Sequence, residues 1–403
     1  MTQEVTVRRR RPTRKKSPYL PYIIGAGSLL VVAVIVLAII FWPKSEDGKQ
    51  KLEEQLFAWE RVPVKQGELW GFAGPDGKMA IEPSYQAVMP FGENGLAAAM
   101  KEGKWGYIDQ NGKEKIPFSY SDTTGFSEGL AAICIGGRWG FINESGMNVI
   151  AAKYEYVGNF SSNKLALIKQ NGLYGYVNAE GKEIVSPKFD SAGAFGENGL
   201  AQVSLNQLYG YIKSDGSYAV APNFSALGAC SASGLIPAKS DSLWGYIDEK
   251  GDWVIPAEYE YAYSFSDQGI ARVMISGKYT FISADGKPIT EDTFSDAGDF
   301  TEGYARVVQN GKFGLLKADG SYAVSLGDTQ LVKPVSQGLL VFRDKKGAYG
   351  YMDVTGKIVV EAQFTQANSF RKDNYTTVMK DGKWGIIDKT GKFVLPAQFD
   401  DIG

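Results

Sequence analysis

Carboxylates are the side chains whose type and spacing offer chemistry in this 403-residue chain. A pair of carboxylates about 5 to 10 Å apart in a cleft is what most glycoside hydrolases require. In this chain, acids occur at equivalent positions of a sequence repeat, at most one in each unit. No two of them are distinguished as a catalytic pair. We interpret them as turn residues that cap exposed backbone amides. They are Glu93, Glu128, Glu197, Asp267 and Glu302.

Other catalytic and metal-binding chemistry has little support. The chain contains no histidine, which removes the commonest general base near neutral pH and the commonest metal ligand. Neither an Asp-x-Asp-x-Asp calcium loop nor a GxxxxGK[ST] phosphate loop occurs. The two cysteines, Cys134 and Cys230, occupy non-equivalent repeat positions, which disfavours a disulfide. The sequence therefore predicts no catalytic residues, no metal and no cofactor, and a carboxylate-dependent glycan hydrolase is the least favoured function.

The elements that would position any site are repeats of about 35 residues. Each unit carries an anchor aromatic, and positions are counted from it, so that +7 lies seven residues after the anchor. Glycine stands at +1 in nine units and at +7 in all ten, while an aromatic returns at +15 in nine and phenylalanine at +21 in seven. The anchors are Trp70, Trp105, Trp139, Tyr174, Tyr209, Trp244, Tyr279, Phe313, Tyr349 and Trp384.

Stretches such as KWGYIDQNGK at 104–113 carry these offsets and resemble the WG, or KWG, repeat family of bacterial proteins. The resemblance covers 57–403 and implies an all-β repeat array. The residue types agree, because repeated glycines weaken helices. Dipeptides such as Asn111-Gly112 accept the positive φ of tight hairpin turns. We interpret the +7 glycine as this turn, and the +1 glycine as a place where another backbone approaches closely.

The predicted fold is an all-β repeat array of about ten three-stranded β-meander units that form an open superhelix, a β-solenoid. A closed propeller-like ring is the alternative. Propeller blades commonly have four strands and longer repeats, which favours the open form.

The amino-terminal segment predicts a membrane anchor. Residues 1–18 carry a net charge of +6, and 19–42 form an uncharged apolar stretch of 24 residues, long enough for one transmembrane helix. The positive-inside rule places 1–18 in the cytoplasm, followed by a polar stalk at 43–56 and the repeat domain at 57–403 outside. A cleaved signal peptide is less favoured because the apolar stretch is long. The rest of the chain carries −8, which argues against a nucleic-acid partner.

Aromatic residues that break the repeat pattern are the predicted ligand contacts: Trp253, Tyr261 and Tyr263. The periodic anchors are interpreted as packing residues instead. Cys230 occupies the +21 position of phenylalanine and is interpreted as a small core residue. In the irregular eighth unit, Asp328 and Pro334 replace the two expected aromatics.

The predicted function is a membrane-anchored, extracytoplasmic binding or scaffold protein. Its array would present a long surface to a protein or to a cell-envelope polymer, since stacked repeats create extended surface without a unique site. The alternative is a cell-wall carbohydrate-binding module that uses exposed aromatics.

Overall fold

The computed structural model describes residues 61–74 and 76–403, and the strands of this range form ten sheets. Each sheet is a blade, numbered by the anchor it contains. A blade consists of one short strand followed by three longer antiparallel strands, except that blade 7 has three strands within the described residues. Residues 1–60 lie outside the described residues. They include the predicted basic segment 1–18, the predicted membrane span 19–42 and the predicted stalk 43–56.

The strands of the first five blades are as follows. Blade 1 contains β1 (Val62–Gln66), β2 (Leu69–Ala73), β3 (Met79–Tyr85) and the last strand, β39 (Asp401–Ile402). Blade 2 contains β4 (Ala87–Val88), β5 (Leu96–Lys101), β6 (Lys104–Asp109) and β7 (Glu114–Tyr120). Blade 3 contains β8 (Asp122–Thr123), β9 (Leu130–Ile135), β10 (Arg138–Asn143) and β11 (Asn148–Tyr154). Blade 4 contains β12 (Tyr156–Phe160), β13 (Leu165–Gln170), β14 (Leu173–Asn178) and β15 (Glu183–Phe189). Blade 5 contains β16 (Ser191–Ala192), β17 (Leu200–Leu205), β18 (Leu208–Lys213) and β19 (Tyr218–Phe224).

The remaining blades follow the same order. Blade 6 contains β20 (Ala226–Leu227), β21 (Ile236–Ser240), β22 (Leu243–Ile247) and β23 (Trp253–Tyr259). Blade 7 contains β24 (Tyr261–Ala262), β25 (Ile270–Ile275) and β26 (Lys278–Ser283). Blade 8 contains β27 (Asp296–Ala297), β28 (Tyr304–Gln309), β29 (Lys312–Lys317) and β30 (Tyr322–Gly327). Blade 9 contains β31 (Gln330–Leu331), β32 (Leu339–Arg343), β33 (Tyr349–Asp353) and β34 (Ile358–Phe364). Blade 10 contains β35 (Gln366–Ala367), β36 (Tyr375–Lys380), β37 (Lys383–Asp388) and β38 (Phe393–Phe399).

The blades close into a propeller-like ring, so the predictions of an open superhelix and of a β-solenoid are wrong. Strand β39 pairs with β1, opposing Val64 to Ile402 and Lys65 to Asp401. The Gly403 amide donates to the Pro63 carbonyl at 3.1 Å. The last unit therefore completes the first blade with the same short strand that every other unit gives to its successor.

The prediction of three-stranded units is also wrong, because most blades have a fourth strand that comes from the preceding unit. In blade 3 this strand is β8, which directly follows the +15 aromatic Tyr120 and pairs with β9. Two residues are too few to show the alternation by which strands are recognised in a sequence. The short strand joins each blade covalently to its neighbour.

The +1 glycine has the predicted role of admitting another backbone. A Cβ on Gly106 would lie 2.7 Å from the Ile116 carbonyl oxygen, where the third strand bulges toward the second. Unit seven has Thr280 at +1, and its third strand is reduced to isolated bridges at Phe294 and Pro288. The one unit without this glycine is thus the unit whose third strand is broken.

The +7 glycine is confirmed as a geometric requirement. All ten of these glycines have φ between 76° and 93°, a region that most residues resist. The same glycines also touch the preceding blade: a Cβ on Gly112 would lie 3.1 Å from Ile81. At the ring closure, a Cβ on Gly77 would lie 2.8 Å from Pro396 of blade 10.

The core between blades contains the +2 and +21 rings, and anchors such as Trp105 and Trp244 also belong to it. Each +2 ring contacts the +21 phenylalanine with ring centroids 4.7 to 5.0 Å apart in seven units. Where +2 is tyrosine, its hydroxyl donates to the carbonyl 17 residues later, as Tyr176 does to Gly193 at 2.6 Å. Of the anchors, Trp105 and Trp244 are 9% exposed and the other eight are half-buried.

A polar contact at +16 also joins neighbouring blades. The Asp190 carboxylate accepts a hydrogen bond from the Asn206 amide at 2.6 Å, in the first hairpin turn of blade 5. Asp400 accepts from the Gly67 amide at 2.9 Å across the ring closure. The hydrogen bond from Lys383, followed by that from Gly67, lowers the pKa of Asp400. The closing junction therefore uses the same side-chain contact as the internal ones.

Candidate binding surface

The ring has two edges on which side chains are presented differently. The turn edge carries the hairpin turn between the first two long strands of each blade, together with the short connection from the preceding blade. The loop edge carries the +7 glycine turns and the segments that contain the +21 residues. These definitions decide which of the predicted contact residues can act together.

The structure separates Trp253 from Tyr261 and Tyr263. Trp253 opposes Ile247 in blade 6, close to the +7 turn at Gly251, and so lies at the loop edge. Its ring is 42% exposed and packs edge-on against Phe224 of blade 5, with centroids 6.0 Å apart. Trp253 therefore does not share a site with the two tyrosines.

Tyr261 and Tyr263 lie at the turn edge in an aromatic cluster with Trp244 and Tyr279. The Tyr261 ring is 5.1 Å from the Trp244 ring and 4.7 Å from the Tyr263 ring, centroid to centroid. Tyr263 in turn lies 6.3 Å from Tyr279. Tyr261 is 42% exposed, and burial of Tyr263 is the main reason that its pKa is raised. The cluster joins blades 6 and 7 and presents Tyr261 to solvent.

Arg272 completes this aromatic cluster and was not singled out from the sequence. Its guanidinium carbon lies 3.7 Å from the Tyr263 ring centroid and 5.0 Å from that of Tyr279. The Nε atom donates to Asp299 at 3.0 Å, and Nη1 donates to the Ala297 carbonyl. The equivalent residue is alanine in units two and three. A charged side chain at this position could therefore have indicated from the sequence that Arg272 has a special role.

An apolar arc, interrupted by Arg138 and Lys278, follows the turn edge through blades 3 to 7. Its members flank the first hairpin turn or begin the short strand, and each is between 36% and 48% exposed. Leucine side chains at one equivalent position line three consecutive blades. The arc consists of Ile135, Tyr156, Leu173, Leu208, Leu243, Tyr261 and Ile275.

The same edge is polar in blades 2, 8, 9 and 10. There, the polar residues that flank the first hairpin turn are Lys101, Lys104, Gln309, Lys312, Arg343, Lys380 and Lys383. Tyr349 stands opposite Arg343 in blade 9, and in blade 1 Leu69 is exposed at the leucine position of the arc. The ring is therefore symmetric in backbone but asymmetric in surface chemistry. Sizeable exposed apolar patches bordered by polar residues are typical of interaction sites.

Among the acids at +23, Glu302 caps a backbone turn. Glu302 accepts hydrogen bonds from the backbone amides of Gln337 and Gly338 at 2.7 and 2.8 Å, so it caps a turn of the following unit rather than of its own. Within 61–74 and 76–403, no group of three potential metal ligands occurs. The same residues contain no helix that is long and apolar enough to span a membrane.

The fold defines an all-β, propeller-like repeat protein. The model of the WG containing repeat matches 70–105, 105–139, 139–174, 174–209, 244–279, 279–313, 349–384 and 384–403. The chain belongs to this family. The matches omit 210–243 and 314–348, which contain Cys230 and the irregular eighth unit respectively. No curated protein matches the chain.

Of two solved structures that are similar to this chain, the first supports the fold alone. A crystal structure of a eukaryotic initiation factor is 9% identical, covers 85% of this chain and 96% of its own, and superposes with a TM-score of 0.50. Hsv2 of Kluyveromyces lactis is 8% identical, covers 64% of this chain and 94% of its own, and gives a TM-score of 0.31.

Proposed function

We propose that this chain is a membrane-anchored scaffold that acts by binding and not by catalysis, with its ring outside the cytoplasm. The apolar arc is the observation that carries the proposal, because it offers a partner protein a row of anchor points on five adjacent blades. The aromatic cluster adds the exposed ring of Tyr261, and tyrosine is one of the residue types that dominate binding energy at protein interfaces. The partner's matching surface is apolar.

The anchoring part of the proposal rests on the sequence of 1–56. A basic segment, an uncharged apolar stretch and a polar stalk occur there in the order expected of a single-pass anchor. Protease treatment of intact cells should degrade the ring if it is outside. Protection of the ring until the membrane is lysed would contradict this orientation.

Substituting Leu173, Leu208 and Leu243 together by lysine is expected to weaken partner binding strongly. A photo-cross-linking residue in place of Leu208 first identifies the partner in cells, and titration then measures its affinity. Burying the exposed part of each leucine is worth about 1 kcal/mol, so affinity should fall on the order of 100-fold.

A matched control variant replaces Lys104, Gln309 and Lys312 by serine, on the polar half of the same edge. Its affinity for the partner should change little. Equal losses in both variants, or efficient cross-linking from position 312, would contradict the assignment of the arc.

Cell-wall carbohydrate binding is the second candidate, favoured by the exposed ring of Tyr261. Sugars stack on exposed aromatic faces, and Tyr261 has one while its neighbours in the cluster are largely covered. Retention on purified wall polymer that is lost in Tyr261→Ala, and unchanged in Trp253→Ala, would support this alternative.

A further inference from the structure

Blade 5 differs from its neighbours at the position where the core between blades is usually filled by a ring. Cys230 stands at +21 in unit five, where Phe195 stands in unit four and Phe265 in unit six. Those two phenylalanines both lie 4.7 Å, centroid to centroid, from the +2 rings Tyr176 and Tyr246. The +2 ring of unit five, Tyr211, has a thiol in place of that contact.

A surface cavity of about 300 Å³, broadly open to solvent, lies at this place on the loop edge. Tyr211 and Cys230 line it, together with Asn198, Gln202, Leu227 and Ala229. Tyr211 retains 5% exposure, whereas the seven +2 rings that a phenylalanine covers retain 0 to 1%. The cavity therefore reaches part of Tyr211, whose counterparts are almost fully covered in those units, and its volume is at the small end of the range for ligand pockets.

The polar groups around the cavity already have partners. The Tyr211 hydroxyl donates to the Gly228 carbonyl at 2.7 Å, and Gln202 Nε2 donates to the Leu227 carbonyl at 3.0 Å. Burial raises the pKa of the Cys230 thiol above its ordinary value, so the sulfur is neutral at physiological pH. Its Sγ lies 3.7 Å from a Glu249 carboxylate oxygen. The wall is thus neutral and polarizable, with one negative charge nearby that disfavours anionic ligands.

We propose that this cavity binds the aryl ring of an uncharged ligand, which packs at a tilted or edge-on angle against Tyr211 as phenylalanine does against its counterparts in seven other units. The repeat itself supplies the argument, because those units show the ring geometry that the surrounding backbone accepts. Aromatic pairs of this kind contribute about 0.5–1.5 kcal/mol beyond the burial of their area. The inference concerns the loop edge and does not depend on the proposed scaffold function.

Fluorine NMR of 4-fluorobenzyl alcohol with the full chain tests the site. We expect saturable binding to the unsubstituted protein, at least tenfold weaker binding to Cys230→Phe, and retained binding to Cys230→Ala. A melting temperature for Cys230→Phe at or above that of the unsubstituted protein would show that the ring is accommodated. No binding in the millimolar range, or equal binding to Cys230→Phe, would overturn the proposal.

A gain-of-site variant keeps the test independent of how Cys230→Phe folds. Phe195→Cys should open an equivalent cavity beside Tyr176 and raise the stoichiometry from one ligand to two. An unchanged stoichiometry would count against the proposal. The amide of N-acetyl-4-fluorophenylalanine distinguishes the source of the ring: its binding indicates that an aromatic side chain of a polypeptide can enter, and its exclusion restricts the site to small molecules.

Discussion

Deleting residues 400–403 is expected to open the ring between blades 10 and 1. The deletion removes the pairing of β39 with β1 and three further hydrogen bonds across the junction: Asp400 to Lys65, Gly67 to Asp400 and Gly403 to Pro63. At about 1 kcal/mol each, their loss should destabilise this junction by about 3 kcal/mol. Hydrogen exchange measured by mass spectrometry should then show faster exchange in Val62–Gln66, while the middle strands of blades 4 to 6 keep their protection.

Asp190→Ala is the control for this deletion. It removes the equivalent carboxylate contact at an internal junction, where the covalent chain and β16 still hold blade 5 in place. Its effect on exchange should be small and confined to the turn at Asn206. Unchanged exchange in Val62–Gln66 after the deletion would contradict ring closure through β39.

Replacing Gly140 by threonine is expected to break the third strand of blade 3. A Cβ at this position would lie 2.4 Å from the Ile150 carbonyl oxygen and 2.6 Å from the Ala152 nitrogen, both backbone atoms. Neither atom can move without disrupting the pairing of β10 with β11, so we expect a loss of about 3 kcal/mol in the free energy of unfolding. Chemical denaturation monitored by tryptophan fluorescence measures it.

Gly125→Thr provides the matched substitution without the clash. A Cβ on Gly125 would meet no atom within 4 Å, and its φ is not positive. This variant should lose less than about 1 kcal/mol. Comparable losses in the two variants would show that the close approach at +1 is not what requires glycine.

The sequence predicted the parts of the fold that depend on single residues. Gly106 and Gly112 have the close approach and the positive φ expected of them, because a backbone that excludes a side chain leaves the same signature in every unit. Phe126 and its equivalents were visible as a period, and the structure shows the +2 rings that they cover. Each of these positions has one dominant physical requirement.

Ring closure could not be predicted in this way. It depends on the rotation from one blade to the next, which follows from many ordinary contacts such as that of Gly112 with Ile81. The short strand Ala87–Val88 could not be predicted either, because two residues are too few to show an alternating pattern. Both features arise from the assembly of units and not from any one of them.

The candidate surface was predicted only in part. Tyr261 and Tyr263 lie together as their proximity in sequence suggested, but a strand that crosses the blade from edge to edge separates them from Trp253. Arg272 enters from the next pair of strands, which sequence distance conceals. The apolar arc emerges only when equivalent turn positions are compared around the ring, with leucine at Leu173, Leu208 and Leu243 and lysine at Lys104 and Lys312.

Cross-linking Val64 to Ile402 tests the closed ring most directly. Opposed residues of an antiparallel pair have Cα atoms about 4.5–5.5 Å apart, a separation that a disulfide can span. The variant carries Val64→Cys and Ile402→Cys with Cys134→Ala and Cys230→Ala, and intact mass after mild oxidation reports the bond. We predict nearly complete intramolecular disulfide formation at low protein concentration. Two free thiols under these conditions, or only intermolecular dimers, would contradict the ring.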